Sequence, residues 1–303
     1  MRRFVEVFSR KNEKNVEFVN LSNAFEIAND FEKQNLSQFV QKMYDGLYCQ
    51  TFIIEEEREN ISVWLEMLEK GKIQGQHIYV AFGYNLSTEN PDIIGFVVAD
   101  IGGESNCGLI EYVVRKKGFS SVLTGNEMIS YVEDELNKLN MDLNGCRLKG
   151  IFWEVNDPLK LGYNEQSPDE TIDCMSPQKR IDLIKEKYGA KELGFSYVQV
   201  PLQKCISSAE VDERTCTKLR FFLFNADAYP TLTAQDVKDY ICYFNTVVNG
   251  SKHPRDLNNP EIDKMMDELD VMINHSIPIL LENQTSRQRA LIAQASDLVK
   301  FNN

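Results

Sequence analysis

The sequence has no run of about eighteen consecutive apolar residues, which is the length that a membrane-spanning helix requires. Its first fifteen residues include basic side chains, but they contain no apolar segment long enough for a signal peptide. These two absences predict a cytoplasmic protein with no membrane partner.

Histidine is scarce and cysteine is scattered. The three histidines, His77, His253 and His275, show no ligand spacing, and none of the seven cysteines forms a C-x-x-C pair. A disulfide framework usually needs an even set of cysteines, and a zinc site needs clustered ligands. The sequence therefore predicts neither disulfides nor a bound metal.

Positive charge is also in short supply, since the formal net charge is −13. The longest basic run is Arg115 to Lys117, whereas a nucleic-acid-binding face needs many cations to meet the phosphate backbone. The chain also lacks the G-x-G-x-x-G and G-x-x-x-x-G-K-S/T motifs of nucleotide-binding domains. Nucleic-acid partners and a nucleotide-binding domain are disfavoured.

One stretch, Gly108 to Leu139, stands out among the features that are present. Residues 109–114 have the apolar, β-branched and aromatic character of a buried strand, and after Gly118 the apolar spacing becomes helical. The turn between them holds three cations and a glycine. Backbone N–H groups at the start of a helix, together with cations, suit a pyrophosphate. The alternative is an ordinary strand-to-helix turn with solvated lysines.

The rest of the chain alternates strands and helices as far as about residue 225, and only helical patterns follow. We predict an α/β protein (α+β) with two parts, residues 1–225 and a helical extension at 226–303 that packs on it. Strands are predicted at 15–21, 78–82, 93–99, 109–114, 148–155, 195–200 and 219–224, and helices at 23–33, 55–70, 122–139, 177–188, 234–248, 260–273 and 279–301.

The order of these elements and the turn Arg115-Lys116-Lys117-Gly118-Phe119-Ser120 resemble the GNAT superfamily of acyl-CoA-dependent N-acyltransferases. The family motif at this turn is Arg/Gln-x-x-Gly-x-Gly/Ala, so serine in the last place is a departure. Residues 151–158, 176–202 and 219–224 are similar to a bacterial subgroup that also carries C-terminal extensions. The resemblance covers residues 15 to about 225, and it implies a mixed, largely antiparallel sheet of about seven strands flanked by helices.

The resemblance implies acetyl-CoA as the acyl donor. Backbone N–H groups of Tyr112, Val113 and Val114 would polarise the thioester and hydrogen-bond the pantetheine. The amides of Gly118, Phe119, Ser120 and Ser121 would hold the pyrophosphate, and Arg115 and Lys117 would add positive charge. Val114 directly precedes Arg115, so the loop before the motif is shorter than is usual in the family.

Two carboxylates are candidates for the general base because each lies within an apolar strand, where burial is expected to raise its pKa. They are Glu111 and Glu154. Alternatively, either one lies at a sheet edge or pairs with Arg147, Lys149 or Arg220. Family members often use a tyrosine as general acid; Tyr188 lies close to that position, with Tyr163 or a water as alternatives.

An aromatic group in the first helical region is predicted to be mostly core, with some members walling the acceptor site. Its members are Phe39, Tyr44, Tyr48, Phe52 and Trp64. The predicted function is acetyl transfer to a primary amine of a small molecule or peptide by direct attack, because Cys107 has no base beside it for a covalent route. The alternative is a non-catalytic binding or regulatory module with a degenerate CoA cleft. The oligomeric state is not assigned.

Overall fold

A computed structural model describes residues 9–51, 59–70, 77–86, 88, 91–161, 176–202, 205 and 207–301. It confirms the mixed α/β class, with eight strands where about seven were predicted. In the described part of the chain, no helix has the length and apolarity to cross a bilayer. The chain divides into two compact units: unit 1 is Met1–Ile101 with Leu109–Gly145, and unit 2 is Gly102–Gly108 with Cys146–Asn303.

Unit 1 contains a sheet whose strands follow chain order. The pairs β1/β2, β2/β3 and β3/β4 are antiparallel, and β5 lies beside β4, so the hairpin predicted from residues 78–82 and 93–99 is confirmed. The strands are nearly all buried in their central parts. Their bounds are β1 Ser9–Lys11, β2 Glu17–Asn20, β3 Ile78–Tyr84, β4 Asp92–Ile101 and β5 Cys107–Arg115.

The first helical region of unit 1 begins earlier than predicted and is interrupted. Helix α1 is Leu21–Ile27 with Asn20 as its N-cap, whereas the sequence predicts a helix at 23–33 with Ser22 as a cap. The Ser22 hydroxyl accepts the Tyr79 N–H instead. Helix α2 is Asp30–Met43 and begins with a capping box at Asn29. A π-helical segment, Tyr44–Tyr48, and a short turn, Cys49–Thr51, follow it.

Two further helices complete unit 1. Helix α3 is Ile61–Lys70, and the earlier part of the helix predicted from residue 55 lies largely outside the described residues. Helix α4 is Gly125–Asn144, with a reciprocal capping box between Thr124 and Glu127. The face predicted for α4 is buried at Met128, Ile129, Val132 and Leu136. Leu139, also predicted on it, is half-buried, and Val122 lies before the helix.

The capping box of α4 allows a test of how firmly this helix is anchored. Thr124→Ala removes the oxygen that accepts the Glu127 N–H, and an N-cap of this kind contributes about 1 kcal/mol. We expect the free energy of unfolding in urea to fall by about that amount. Ser130→Ala, at an exposed position inside the same helix, is the matched control and should leave stability unchanged or slightly higher. Equal effects of the two substitutions would contradict the capping role.

Unit 2 contains three further strands, β6 Gly150–Asn156, β7 Lys191–Glu192 and β8 Leu219–Leu223, in the order β6-β8-β7 with antiparallel pairing. The strand predicted at 195–200 is wrong. In that segment the N–H of Ser196 donates to the Glu268 carboxylate, and the N–H of Val198 donates to the Met265 sulfur. Because these amides bond to side chains from a helix, they do not form a ladder with another strand.

The helices of unit 2 are mostly where the sequence predicts them. They are α5 Pro177–Tyr188, α6 Ser208–Arg214, α7 Ala234–Asn249, α8 Pro260–Asn274 and α9 Ser286–Phe301. In the sequence, Thr233 and Asp236 have the spacing of a capping box before the helix predicted at 234–248, and the structure confirms it. Helix α6 was not predicted, and α9 begins at Ser286 rather than residue 279. The division into domains at residues 225 and 226 stays a prediction.

Candidate functional site

An exposed turn follows β5 and exposes unpaired backbone amides. Gly118 has a φ of +86°, in the left-handed region that favours glycine, and no atom lies within 4 Å of the position a Cβ would take. Within the described residues, the N–H groups of Gly118, Ser120 and Ser121 make no hydrogen bond. Three amides without a hydrogen bond in one short turn are donors that an anion could accept from.

The cations of this turn are tethered at its edges. Arg115 donates from Nη1 to the Leu123 carbonyl at 3.2 Å, which ties the beginning of the turn to its end. Lys116 lies 3.7 Å from a carboxylate oxygen of Asp92 and 5.5 Å from the centroid of the Phe119 ring. All three cations, including Lys117, are exposed. They therefore place positive charge around the free amides without burying it.

The N-terminus of helix α4 lies farther from Gly118 than the sequence predicts, because the helix does not begin at residue 122. Helix α4 begins at Gly125, and the Glu127 carboxylate already accepts the Thr124 N–H at 2.7 Å. The same carboxylate accepts a hydrogen bond from Asn12. Because the helix carries its own anion, the candidate phosphate site is the preceding turn alone.

Strand β5 contributes Glu111, one of the two predicted bases. Its carboxylate is 15% exposed and lies 3.4 Å from Nδ1 of His77, and burial raises the pKa of Glu111 to about 7. The other predicted strand residues, Tyr112 and Val113, are half-buried and Val114 is buried. The role of their amides stays a prediction. A carboxylate with a pKa near 7 has the properties of a general base at neutral pH.

Glu59 is a second carboxylate at this place, and sequence reasoning missed it. Burial, followed by repulsion from Glu111, raises the pKa of Glu59 to about 7, although a hydrogen bond from Trp64 and the proximity of His77 oppose the shift. The Trp64 Nε1 donates to Glu59 Oε2 at 2.6 Å. No periodic pattern marks Glu59, because it precedes a helix in a highly charged segment; only its spacing from Trp64 could have suggested it.

Aromatic rings surround these acidic groups. The rings of Tyr48 and Trp64 lie 4.8 Å apart, those of Tyr48 and Tyr112 5.1 Å apart, and those of Trp64 and Tyr79 5.5 Å apart. Tyr44 closes one side and donates its hydroxyl hydrogen to the Glu59 carbonyl at 2.7 Å. We call the following set the acidic–aromatic cluster: Glu59, His77, Glu111, Tyr48, Trp64, Tyr79 and Tyr112.

The predicted aromatic group is thus divided between two roles. Phe39 is buried in the core of unit 1, as are Tyr48 and Trp64, which also form the inner wall of the acidic–aromatic cluster. Tyr44 is half-buried at its side. Phe52 lies outside the described residues. The sequence-based expectation of a mostly buried group is confirmed for the described members, and the acceptor role stays a prediction.

Among the described residues, one group of three side chains brings possible cation ligands together. The ligand atoms of His77, Asp100 and Glu111 all lie within 4.8 Å of one another. The buried Asp100 carboxylate also accepts the Leu109 N–H at 3.1 Å. A cation can bridge such a spacing, and an ammonium group and a metal ion are both cations of this kind.

Glu154, the other predicted base, lies on β6 in unit 2. Its carboxylate accepts hydrogen bonds from the Tyr197 hydroxyl and from Gln199 Nε2, the latter at 2.7 Å. Of the basic partners considered from sequence, Lys149 pairs with Asp236 and Arg220 pairs with Glu192. Glu154 is therefore held by neutral donors rather than by those cations.

Tyr188, the predicted general acid, ends helix α5 and is half-buried. Its ring lies 5.7 Å from Trp153 and 5.8 Å from Phe224, which is a packing environment. The catalytic role of Tyr188 stays a prediction, and Tyr163 lies outside the described residues. Cys107 is fully buried and burial raises the pKa of its thiol, so it is a poor nucleophile, in agreement with direct attack.

A cavity of about 350 Å³ is present in unit 2. Its lining includes Tyr197, Lys160, Glu192 and Arg220. The charged groups already have partners, because Arg220 donates from Nε to Glu192 at 2.7 Å and Lys160 donates to the Thr217 carbonyl at 2.7 Å. The charged groups of the lining therefore already form hydrogen bonds within the chain.

No family model and no curated protein matches this sequence. Solved structures that are similar include an acetyltransferase of the GNAT family from Staphylococcus aureus Mu50, at 12% identity and TM-score 0.37, covering 69% of this chain and 99% of that one. An aminoglycoside 6'-N-acetyltransferase complexed with coenzyme A has 16% identity and TM-score 0.33, with coverage of 64% and 91%.

The ribosomal-protein-S18-alanine N-acetyltransferase from Escherichia coli is similar at 8% identity and TM-score 0.32, covering 69% of this chain and 92% of that chain. The GNAT acetyltransferases among these neighbours belong to the superfamily that the Arg115–Ser120 turn resembles. Since the TM-scores are below 0.5, the activities of these proteins do not transfer to this chain.

Proposed function

We propose that this protein transfers the acetyl group of acetyl-CoA to a primary amine of a small molecule or peptide. The observation that carries the proposal is the exposed turn after β5. There the amides of Gly118, Ser120 and Ser121 make no hydrogen bond within the described residues, and Arg115 and Lys117 add positive charge. A pyrophosphate supplies the acceptor oxygens that these donors lack.

Glu111 is the side chain best suited to activate the amine. The acceptor binds as an ammonium, and a carboxylate with a pKa near 7 can take its proton at neutral pH. The neutral nitrogen then attacks the thioester carbonyl, a C–N bond forms, and the C–S bond breaks to release the CoA thiolate. The nitrogen loses its second proton as the amide forms, the thiolate takes up one proton, and Glu111 returns the first proton to solvent. Backbone N–H groups of residues 112–114 are proposed to polarise the carbonyl during this step.

Gly118→Trp should abolish acetyl-CoA binding. A φ of +86° is strained for any side chain, so tryptophan is expected to change the conformation of the turn and to displace its N–H groups. Two lost hydrogen bonds to a charged group are worth about 3–6 kcal/mol, so affinity should fall by about 100-fold or more. Titration calorimetry with acetyl-CoA measures this loss directly.

Gly145→Trp is the matched control for that experiment. Gly145 also has a positive φ, +69°, and open space at its Cβ position, but it lies at the opposite end of α4. The control variant therefore has the same kind of backbone strain as Gly118→Trp, but it places the tryptophan away from the turn after β5. Equal affinity of the wild type and Gly118→Trp, or no binding by either protein, would remove the cofactor proposal.

The second candidate function is a non-catalytic module that keeps the fold without turnover. The packing of Tyr188 against Trp153 and Phe224 favours it, because a general acid needs access to the leaving thiolate. Release of free CoA thiol from acetyl-CoA, measured over a panel of primary amines, separates the two. Turnover with any amine supports the enzyme, and binding of acetyl-CoA without turnover supports the module.

A further inference from the structure

The acidic–aromatic cluster has more negative charge than its own residues neutralise. In the described part of the chain, no lysine or arginine forms an ion pair with Glu59 or Glu111. Among the described residues, the basic group in contact with Glu111 is His77, at 3.4 Å. Buried carboxylates without a counter-charge are costly, so the cluster favours either protons or a cation from outside.

His77 adds a buried polar atom that lacks a hydrogen-bond partner among the described residues. Its Nδ1 is buried and makes no hydrogen bond within the described residues, although its side chain is 11% exposed. Buried polar atoms normally have a partner, and each exception needs an explanation. The unsatisfied atom faces the Glu111 carboxylate, so the polar deficit and the charge excess lie at the same place.

The aromatic rings decide which kind of cation fits. Tyr48, Trp64, Tyr79 and Tyr112 present four π-systems around the carboxylates, and an ammonium is attracted to such faces. A divalent metal instead needs several oxygen or nitrogen ligands. Aromatic walls also accommodate an apolar group attached to the nitrogen.

The cluster is mostly buried, and part of it retains a small exposure. Trp64 and Tyr48 are fully buried. The Glu111 and His77 side chains are 15% and 11% exposed. We expect a ligand to approach the carboxylates from these two side chains.

We propose that the acidic–aromatic cluster binds the ammonium group of an organic cation with an aromatic or apolar body, between Glu59 and Glu111. The inference rests on the proposed function only where it makes this cation the acetyl acceptor. The cluster thereby selects arylalkylamines and similar apolar amines over strongly polar acceptors. Binding itself requires no acetyl-CoA.

The experiment uses Trp64 as the reporter. The chain has two tryptophans, so Trp153→Phe leaves Trp64 as the only one. Phenyltrimethylammonium, which cannot be acetylated, is titrated into this protein at pH 8 without acetyl-CoA. We expect a saturable change in Trp64 fluorescence, and an affinity at least about tenfold weaker for the neutral isostere tert-butylbenzene.

Matched variants test the two carboxylates. Glu59→Gln and Glu111→Gln should each weaken phenyltrimethylammonium binding by about tenfold or more, because each removes a charge facing the ligand. Glu69→Gln, at an exposed position of α3, removes a nearby charge outside the cluster and should leave binding unchanged. If a variant fails to fold, the wild type alone provides the test. Phenyltrimethylammonium should then raise its Tm more than tert-butylbenzene does.

Absence of a saturable signal, or equal binding of the neutral isostere, would overturn the proposal. It would also be overturned if Mn²⁺ bound at the cluster while phenyltrimethylammonium did not. A protein that binds acetyl-CoA but not phenyltrimethylammonium loses this inference and keeps the proposed function. A protein that binds phenyltrimethylammonium but not acetyl-CoA keeps the cation site and loses the acetyl donor.

Discussion

Replacing Glu111 with glutamine is expected to lower kcat for acetyl transfer by about 10²- to 10⁴-fold, the usual contribution of a positioned general base. Glutamine preserves the shape and the hydrogen-bonding oxygen but cannot accept the ammonium proton. Affinity for acetyl-CoA should be unchanged, because the turn at Gly118 that is proposed to hold the pyrophosphate has its own donors. Steady-state kinetics with the best amine of the panel, combined with calorimetry, measures both quantities.

The pH profile gives this prediction a second readout. Glu111 acts as a base only when ionised, and its pKa is about 7, so wild-type kcat/KM should rise with pH through that region. Glu59 has a similar pKa and repels Glu111, so the observed value belongs to the coupled groups. The titratable groups around it are Glu59, His77, Asp100, Tyr48, Tyr79 and Tyr112. In the Glu111→Gln variant, the part of the rise in kcat/KM with pH that depends on ionisation of Glu111 should disappear.

Glu69→Gln serves as the control, since this exposed side chain on α3 lies outside the acidic–aromatic cluster and should retain wild-type kcat. Full turnover by Glu111→Gln would remove Glu111 from the base role. The rival base then becomes Glu154, and Glu154→Gln should show the larger loss. The hydrogen bonds from Tyr197 and Gln199 to Glu154 argue against that outcome, because they occupy its oxygens.

Local sequence signals were reliable where one element decides its own structure. The capping box at Thr233 and Gly189, which ends α5, act over three or four residues, so the sequence pattern contains the needed information. The capping box at Thr124 explains an error in a boundary: the helix was predicted from residue 122, but its N-cap is Thr124 and it begins at Gly125. The binding of an anion by the turn before this helix stays a prediction.

Long-range contacts decided the features that the sequence could not predict. Glu59 and His77 come together with Glu111 from three separate segments, and no periodicity links them. The segment 195–200 has the composition of a strand. Its Ser196 and Val198 N–H groups nevertheless donate to Glu268 and Met265 on α8 rather than to a neighbouring strand. Composition alone cannot reveal that competition, because the competing acceptors are about 70 residues away in sequence.

The second large effect concerns stability. Glu59 and Glu111 have pKa values of about 7 in the folded protein against an ordinary value of 4.5. Between these values the folded state binds more protons than the unfolded state, so the free energy of unfolding must fall as pH rises. The two carboxylates therefore add to the free energy of unfolding at low pH. Their contribution is fully present below about pH 4.5, the ordinary pKa, and is lost as the pH rises through about 7, the pKa in the folded protein. Each carboxylate contributes a few kcal/mol, by the usual order of about 1.4 kcal/mol per pKa unit.

The double variant Glu59→Gln/Glu111→Gln should therefore show a flatter dependence of unfolding free energy on pH. At pH 8 it should be more stable than the wild type by about 2 kcal/mol or more, because it no longer buries uncompensated charge. Urea denaturation at pH values from 5 to 8 measures this difference. Other groups titrate in the same range, and the comparison of the two proteins cancels their contribution.

Phenyltrimethylammonium links this stability effect to the cation site. A cation that binds ionised Glu59 and Glu111 should raise the wild-type Tm more at pH 8 than at pH 5.5, because at the lower pH both carboxylates are protonated and offer no charge. The double variant should show little stabilisation at either pH. Glu69→Gln should follow the wild type throughout. A wild-type stability that rises between pH 5 and 8, relative to the double variant, would mean that the two carboxylates are compensated within the folded chain, and the reason for a cation at this place would be gone.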